Sequence, residues 1–153
     1  MLLERLDLQE NKLTGSAFPP AILKLKRLRS YKVTGNSLKA QIPAGIGSLR
    51  ALEELWAADN GIDGTLPTTI GNLSNLKTLV LDENDLKGEI PSELGRLPLE
   101  SVFLQTNFFN GEIPEELFDA TTLMELRLDG NFLQGSLSTQ VGQLTDLGCF
   151  AII

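Results

Sequence analysis

Aliphatic residues return along this chain in the order L-x-x-L-x-L, and three residues after the last of them stands an asparagine. The segments LERLDLQENKLTG, LRSYKVTGNSLKA, LEELWAADNGIDG, LKTLVLDENDLKG, LESVFLQTNFFNG and LMELRLDGNFLQG align on that residue without gaps. Their asparagines, Asn11, Asn36, Asn60, Asn84, Asn107 and Asn131, are 25, 24, 24, 23 and 24 positions apart. Leu147 begins a seventh unit that runs to Ile153. A fixed period of this size predicts a solenoid, because one unit cannot bury its own apolar face and stacked units can. Within L-x-L the alternation of apolar and variable positions, Leu79 and Leu81 in and Val80 out, has the period of a strand.

The second half of each unit repeats as well. Ile42-Pro43, Leu66-Pro67, Ile90-Pro91 and Ile113-Pro114 occupy equivalent places, followed by IGSL (46–49), IGNL (70–73), LGRL (94–97) and VGQL (141–144). Each asparagine sits where the chain leaves its strand, and its amide can donate and accept for backbone groups that would otherwise be buried unpaired. Gly64, Gly88, Gly111 and Gly135 mark a tight or positive-φ position, and each proline falls where no ladder donor is needed.

The combined pattern LxxLxLxxNxLxGxIPxxLGxLxx resembles the plant-type leucine-rich repeat, and LSNLKTLVLDENDLKGEIPSELGRL (73–97) follows it almost position by position. The resemblance covers essentially the whole chain. It implies an α/β fold class: a right-handed solenoid with a concave parallel sheet, short 3-10 turns on an irregular convex side, and extra strands outside the main sheet. Residues 1–153 read as a single domain of about six repeats of 23–25 residues plus a truncated seventh.

Departures from the pattern predict local adjustments. GSAFPP in the first unit has one residue more than its counterparts and should bulge the outer loop, whereas RLPLES (96–101) has one fewer and should tighten it. Ala40 stands where the second unit should have its glycine, Ser138 where the sixth should have proline, and Phe118 replaces a glycine of the outer turn. The chain opens directly on a repeat strand and closes on the apolar LGCFAII. Because solenoids need polar capping units, the expectation is a fragment of a longer array, with an end-to-end dimer as the alternative.

Composition narrows the chemistry. With no His and the single Cys149, zinc sites and the usual hydrolase triad are out of reach, and no intramolecular disulfide can form. A net charge of −7 argues against nucleic acid as a partner. The N-terminus is no export signal, since Glu4, Arg5 and Asp7 interrupt it, and no stretch is apolar enough to span a membrane. The segment LDENDLKGEIP (81–91) imitates part of a calcium loop from Asp82. It fails because the fifth position is Leu86 and the sixth is Lys87 instead of glycine. Asn72-Leu73-Ser74 forms a glycosylation sequon that coincides with scaffold sequence. No metal, cofactor or enzymatic activity is expected.

The variable positions of L-x-x-L-x-L-x-x-N carry what function there is. The fifth column reads Asp7, Lys32, Trp56, Val80, Phe103, Arg127. Neighbouring strands place these side by side, so Trp56, Val80 and Phe103 should form an outward apolar strip between Lys32 and Arg127. Asp59, Asp82, Glu83 and Asp129 should line it as an acidic margin. Apolar centres with charged rims are how binding hot spots are built. The expected function is therefore non-catalytic capture of a protein, peptide or glycan partner on the concave face. The resemblance implies receptor-like ectodomains, hence an extracellular or membrane-associated setting. The alternative is an intracellular scaffold organising protein partners, cytoplasmic if the chain is complete as given. Phe108 and Phe132, which follow their asparagines, are expected to stack as packing residues.

Overall fold

A computed structural model describes residues 2–152. In chain order its strands are β1 (Arg5–Asp7), β2 (Thr14–Ser16), β3 (Ser30–Lys32), β4 (Ser37–Lys39), β5 (Glu54–Trp56), β6 (Asp63–Thr65) and β7 (Thr78–Val80). They continue as β8 (Asp85–Gly88), β9 (Ser101–Phe103), β10 (Phe108–Glu112), β11 (Glu125–Arg127), β12 (Phe132–Gln134) and β13 (Cys149–Ala151). The odd-numbered strands form one parallel sheet in the order β1-β3-β5-β7-β9-β11-β13. Sequential parallel strands joined by crossovers coil to the right, and the expected right-handed solenoid results. The second expectation also holds: β6, β8, β10 and β12 make a separate four-stranded sheet, and β2 pairs with β4. Short 3-10 turns such as Ala44–Ser48, Thr68–Asn72 and Ser92–Arg96 close each coil on the convex side.

The L-x-L leucines fill the interior. Leu55, Leu79, Val102 and Leu126 are in register across the sheet and wholly buried, as are Leu81, Leu104 and Leu128 one step on. One continuous core runs from Ala17 to Leu144. Each fully buried leucine removes about 2 kcal/mol worth of apolar surface from water.

Between the leucines and the second sheet runs a ladder of asparagines. The amide of Asn84 donates to the carbonyls of Ala57 (2.9 Å) in the preceding repeat and Leu81 (3.1 Å) in its own. Its Oδ1 accepts the N–H of Ile62 at 3.0 Å. Asn36, Asn60, Asn107 and Asn131 repeat the pattern, each accepting a backbone N–H at 3.0 Å: those of Leu13, Leu38, Leu86 and Phe109. From Asn36 to Asn131, one side chain type thus pairs the backbone groups exposed where the chain leaves the sheet, as its donor and acceptor capacity predicts.

The sequence departures have individual outcomes. Pro19 and Ile22 make the turn bond that Pro43 and Ile46 make in the next unit, so the extra residue lies before Pro19. The insertion does not bulge outward, since Ala17 is wholly buried. Phe18, 3% exposed, fills the place before the turn proline that Ile42 holds in the next unit, and meets the ring of Tyr31 edge-on at 6.1 Å. Tyr31 donates its hydroxyl to the carbonyl of Ala17 at 2.6 Å, and burial pushes its pKa up to about 12. At the short RLPLES turn, Leu97 adopts an extended ψ of 151°, where the corresponding Leu49 and Leu73 have 54° and 63°. Straightening one residue spans the gap. Phe118 is buried, with its ring edge-on to Phe150 at 6.4 Å.

Candidate functional site

The concave face is built by the residues of the odd strands that point away from the leucines. Register places Lys32, Trp56, Val80, Phe103 and Arg127 in one row. Trp56 and Phe103 are half-buried and Arg127 is exposed, but Val80 is only 5% exposed. The strip is therefore not the continuous apolar surface that the column suggests. Val80 is shorter than the two rings flanking it in register, and it forms the floor between them.

The cations do more than bracket the row. Lys32 holds its ammonium 4.4 Å from the centre of the Trp56 ring, and Arg127 holds its guanidinium 5.3 Å from that of Phe103. Each aromatic ring has a cation on its face, a pairing that stabilises by about 0.5–1 kcal/mol at exposed sites. Lys32 also lies 3.4 Å from Glu54, whose other partner is the Ser30 hydroxyl, donating at 2.7 Å. The Ser30 hydrogen bond, with help from Lys32, holds the Glu54 carboxyl below its usual range against the opposing effect of burial.

The seventh column completes the face. Asp82 and Asp129 are half-buried, and with them stand Thr34 and Gln105 from the same column. Burial pushes the Asp82 carboxyl above its usual range, and neighbouring Glu83 and Asp59 push the same way. Its own backbone N–H and Arg127 oppose. Among the described residues, the buried side-chain polar atoms without a protein partner are Thr34 Oγ1, Trp56 Nε1, Asp82 Oδ1 and Gln105 Oε1. All four belong to this face. Buried polar atoms are ordinarily paired, so their concentration on one surface is informative.

The remaining acidic residues lie elsewhere on the rim. Asp59 and Glu83 are exposed and occupy a left-handed backbone conformation, φ 48° and 53°, immediately before their asparagines. The same position in other units is Gly35 and Gly130, with φ 67° and 66°. Sequence reasoning treated Asp59 and Glu83 as part of the same margin as Asp82. Both stand near enough to raise the Asp82 carboxyl, but they are exposed where it is half-buried, and they belong to the left-handed step by which the chain leaves its strand.

One feature of this surface went unread in the sequence. The second column alternates in sign, Glu4, Arg29, Glu53, Lys77, Glu100, and pairs along the sheet: Arg29 with Glu53 at 2.5 Å and Lys77 with Glu100 at 2.8 Å. The alternation was visible repeat by repeat. It neutralises the N-terminal edge of the concave sheet and leaves the aromatic row as its chemically distinctive part.

Comparison with known proteins agrees with this architecture. The model of the family described as Leucine Rich Repeat matches residues 51–73 and 75–97. No curated protein sequence matches the chain. Among solved structures, the Arabidopsis receptor kinase HAESA, crystallised with the peptide hormone IDA and the co-receptor SERK1, is 32% identical with a TM-score of 0.89. The match covers 96% of this chain and 24% of that one. A plant ice-binding protein is 28% identical with a TM-score of 0.85, over 97% of this chain and 50% of that chain. The BIR3–SERK2 complex from Arabidopsis gives 34% identity and a TM-score of 0.73, covering 86% of this chain and 69% of the matched one. The chain spans about a fifth to a quarter of the length of the receptor chains it matches. At 34% identity over more than two thirds of the matched BIR3–SERK2 chain, and with the family's model on two of its repeats, the chain belongs to the leucine-rich repeat family, in its plant type.

Proposed function

We propose that this chain is a non-catalytic binding module whose concave face captures an extended segment of a peptide or protein partner. One observation carries the reading. The half-buried rings of Trp56 and Phe103 and the buried, unpartnered polar atoms of Thr34, Trp56, Asp82 and Gln105 share a single surface. A partner laid across the row offers apolar groups to the rings and the Val80 floor, and polar groups to the seventh column. Hot spots join buried aromatic anchors to a polar surround in this way. Lys32, Arg127 and Asp129 provide charge selection at the two ends.

The reading is supported by the likeness to HAESA, a receptor described with a peptide hormone bound. The setting proposed with it is a receptor-like protein, outside the cell or at its membrane. Fold alone does not choose the ligand, as the likeness to an ice-binding protein makes plain. An ice lattice demands a regular array, and the columns here are irregular in size and charge: Lys32, Trp56, Val80, Phe103, Arg127.

A phage-displayed library of random dodecapeptides, panned on the chain, tests the proposal. Selected peptides should lose binding to Trp56→Ala and to Phe103→Ala, each by about tenfold or more, as central aromatic anchors do. Peptides whose affinity is unchanged by both substitutions would place the binding surface elsewhere.

A further inference from the structure

A second surface lies on the rim, outside the concave row. An open groove of about 510 Å³ is lined by Asp59, Glu83, Asp85, Phe108 and Phe132, among others. The rings of Phe108 and Phe132 stack with centroids 6.0 Å apart and planes 21° from parallel, as the sequence led one to expect of a packing pair. Yet Phe108 is 48% and Phe132 61% exposed, so much of each ring faces water. The residues that do fill the core at this level are Phe109 and Leu86, both wholly buried. Large apolar side chains kept at the surface in contact with one another mark interaction sites.

The acids beside them are in place at a conformational cost. Asp59 and Glu83 hold left-handed backbone conformations where Gly35 and Gly130 serve the same fold position. A side chain other than glycine costs about 1 kcal/mol or more there, so the scaffold does not require a carboxylate at either site. Asp59, Glu83 and Asp85 are all exposed, and no salt bridge to them occurs among the described residues.

Flat rings with free faces beside unpaired carboxylates are complementary to one side chain above others. Arginine's planar guanidinium stacks on aromatic faces and forks to carboxylates, and its weak hydration lets it do both. We infer that this groove docks an arginine-bearing segment of a protein partner, the guanidinium lying over the Phe108–Phe132 pair with Glu83 and Asp85 as its anionic partners. The site lies apart from the concave row, since its residues flank the asparagines on either side and none of them lies in the odd strands.

The test uses the peptide acetyl-Gly-Arg-Gly-Arg-Gly-amide, and a second peptide with citrulline, the neutral isostere, at both arginines. Titration is followed by the ring and amide resonances of the labelled chain. The arginine peptide should give saturable shifts at Phe108, Phe132, Glu83 and Asp85, and the citrulline peptide none. Phe132→Ala should weaken binding by about threefold, the loss of one exposed cation–π contact. Glu83→Gly should weaken it similarly while raising the thermal midpoint, because the left-handed position is relieved. Glu115→Gln, an exposed acid on an outer turn, and Trp56→Ala should leave binding unchanged. Equal shifts from the citrulline peptide, equal weakening by Glu115→Gln, loss on Trp56→Ala, or no saturation at the rings would each overturn the inference. The first would mean apolar contact alone, the second diffuse attraction to the net negative charge, and the third a single shared site.

Discussion

Replacing Asn84 with alanine isolates the interaction that joins one repeat to the next. Four contacts disappear: the donations to Ala57, Leu81 and Asp82, whose carbonyl keeps the N–H of Asp59, and the acceptance from Ile62. They are not equivalent. The Leu81 carbonyl keeps a bond from Asn107 at 3.0 Å. The Ile62 N–H has no substitute acceptor, and the Ala57 carbonyl is left with a stretched 3.5 Å contact from Asn60. Asn84 itself is 6% exposed, so water cannot readily take its place. One buried N–H left unpaired, at about 1–3 kcal/mol, and one carbonyl left with a stretched contact, at about 1 kcal/mol, predict a loss of about 2–4 kcal/mol. That is a large share of the roughly 5–15 kcal/mol that holds a domain folded.

Asn11 provides the control. Among the described residues its side chain makes only the two local donations, to Leu8 (3.1 Å) and Gln9 (2.8 Å), and it is exposed. Asn11→Ala should cost less than about 1 kcal/mol. Urea unfolding followed by far-ultraviolet circular dichroism measures both, provided the denaturant slope is unchanged. Asn84→Asp should be no milder than Asn84→Ala, since it retains the acceptor but turns a carboxylate toward the carbonyl oxygens of Ala57 and Leu81. If Asn84→Ala and Asn11→Ala cost the same, the ladder is not what couples the repeats.

Three further outcomes follow from individual positions. Ala40 has φ 72° at the place other units give to glycine, so Ala40→Gly should raise stability by about 0.5 kcal/mol, the relief of strain exceeding glycine's entropy cost. At Gly95 a Cβ would collide with the backbone carbonyl of Glu116, whereas nothing lies within 4 Å of one at Gly142. Gly95→Ala should therefore lower stability by about 1–3 kcal/mol and Gly142→Ala leave it nearly unchanged, both read from thermal midpoints. For Asp82, the raised folded-state pKa means the native chain binds more protons than the unfolded chain between the unfolded value and the raised one. Its contribution to stability accordingly falls as pH rises through that window. Asp82→Asn should raise the thermal midpoint at pH 7, with the advantage shrinking as pH falls below the native carboxyl's pKa.

Much of the fold was legible because the repeat over-determines it. Leu79, Asn84 and Gly88 each recur in equivalent positions, so a six-fold alignment separates scaffold from variable residue. The candidate site was legible only as columns. Period assigns Trp56, Val80 and Phe103 to one row, but it does not say that a valine between two rings becomes a floor. Nor does it say that Lys32 and Arg127 lie over those rings and not beyond them. Those outcomes depend on side-chain length and rotamer. The difference between half-buried Asp82 and exposed Asp59 and Glu83 goes with a left-handed residue that only the backbone reveals. The GSAFPP insertion misled for a related reason. An extra residue predicts an outward bulge, whereas Ala17 is wholly buried with its carbonyl held by the hydroxyl of Tyr31.

The most direct test of concave capture uses the indole N–H of Trp56, the sole tryptophan of the chain and a buried donor without a protein partner. It gives one resolved resonance. Titrating a library-selected peptide into the labelled chain should shift that resonance in step with calorimetric binding, as the ligand seats over the Trp56–Phe103 row. A peptide that binds by calorimetry while the Trp56 indole resonance stays still would contradict the account.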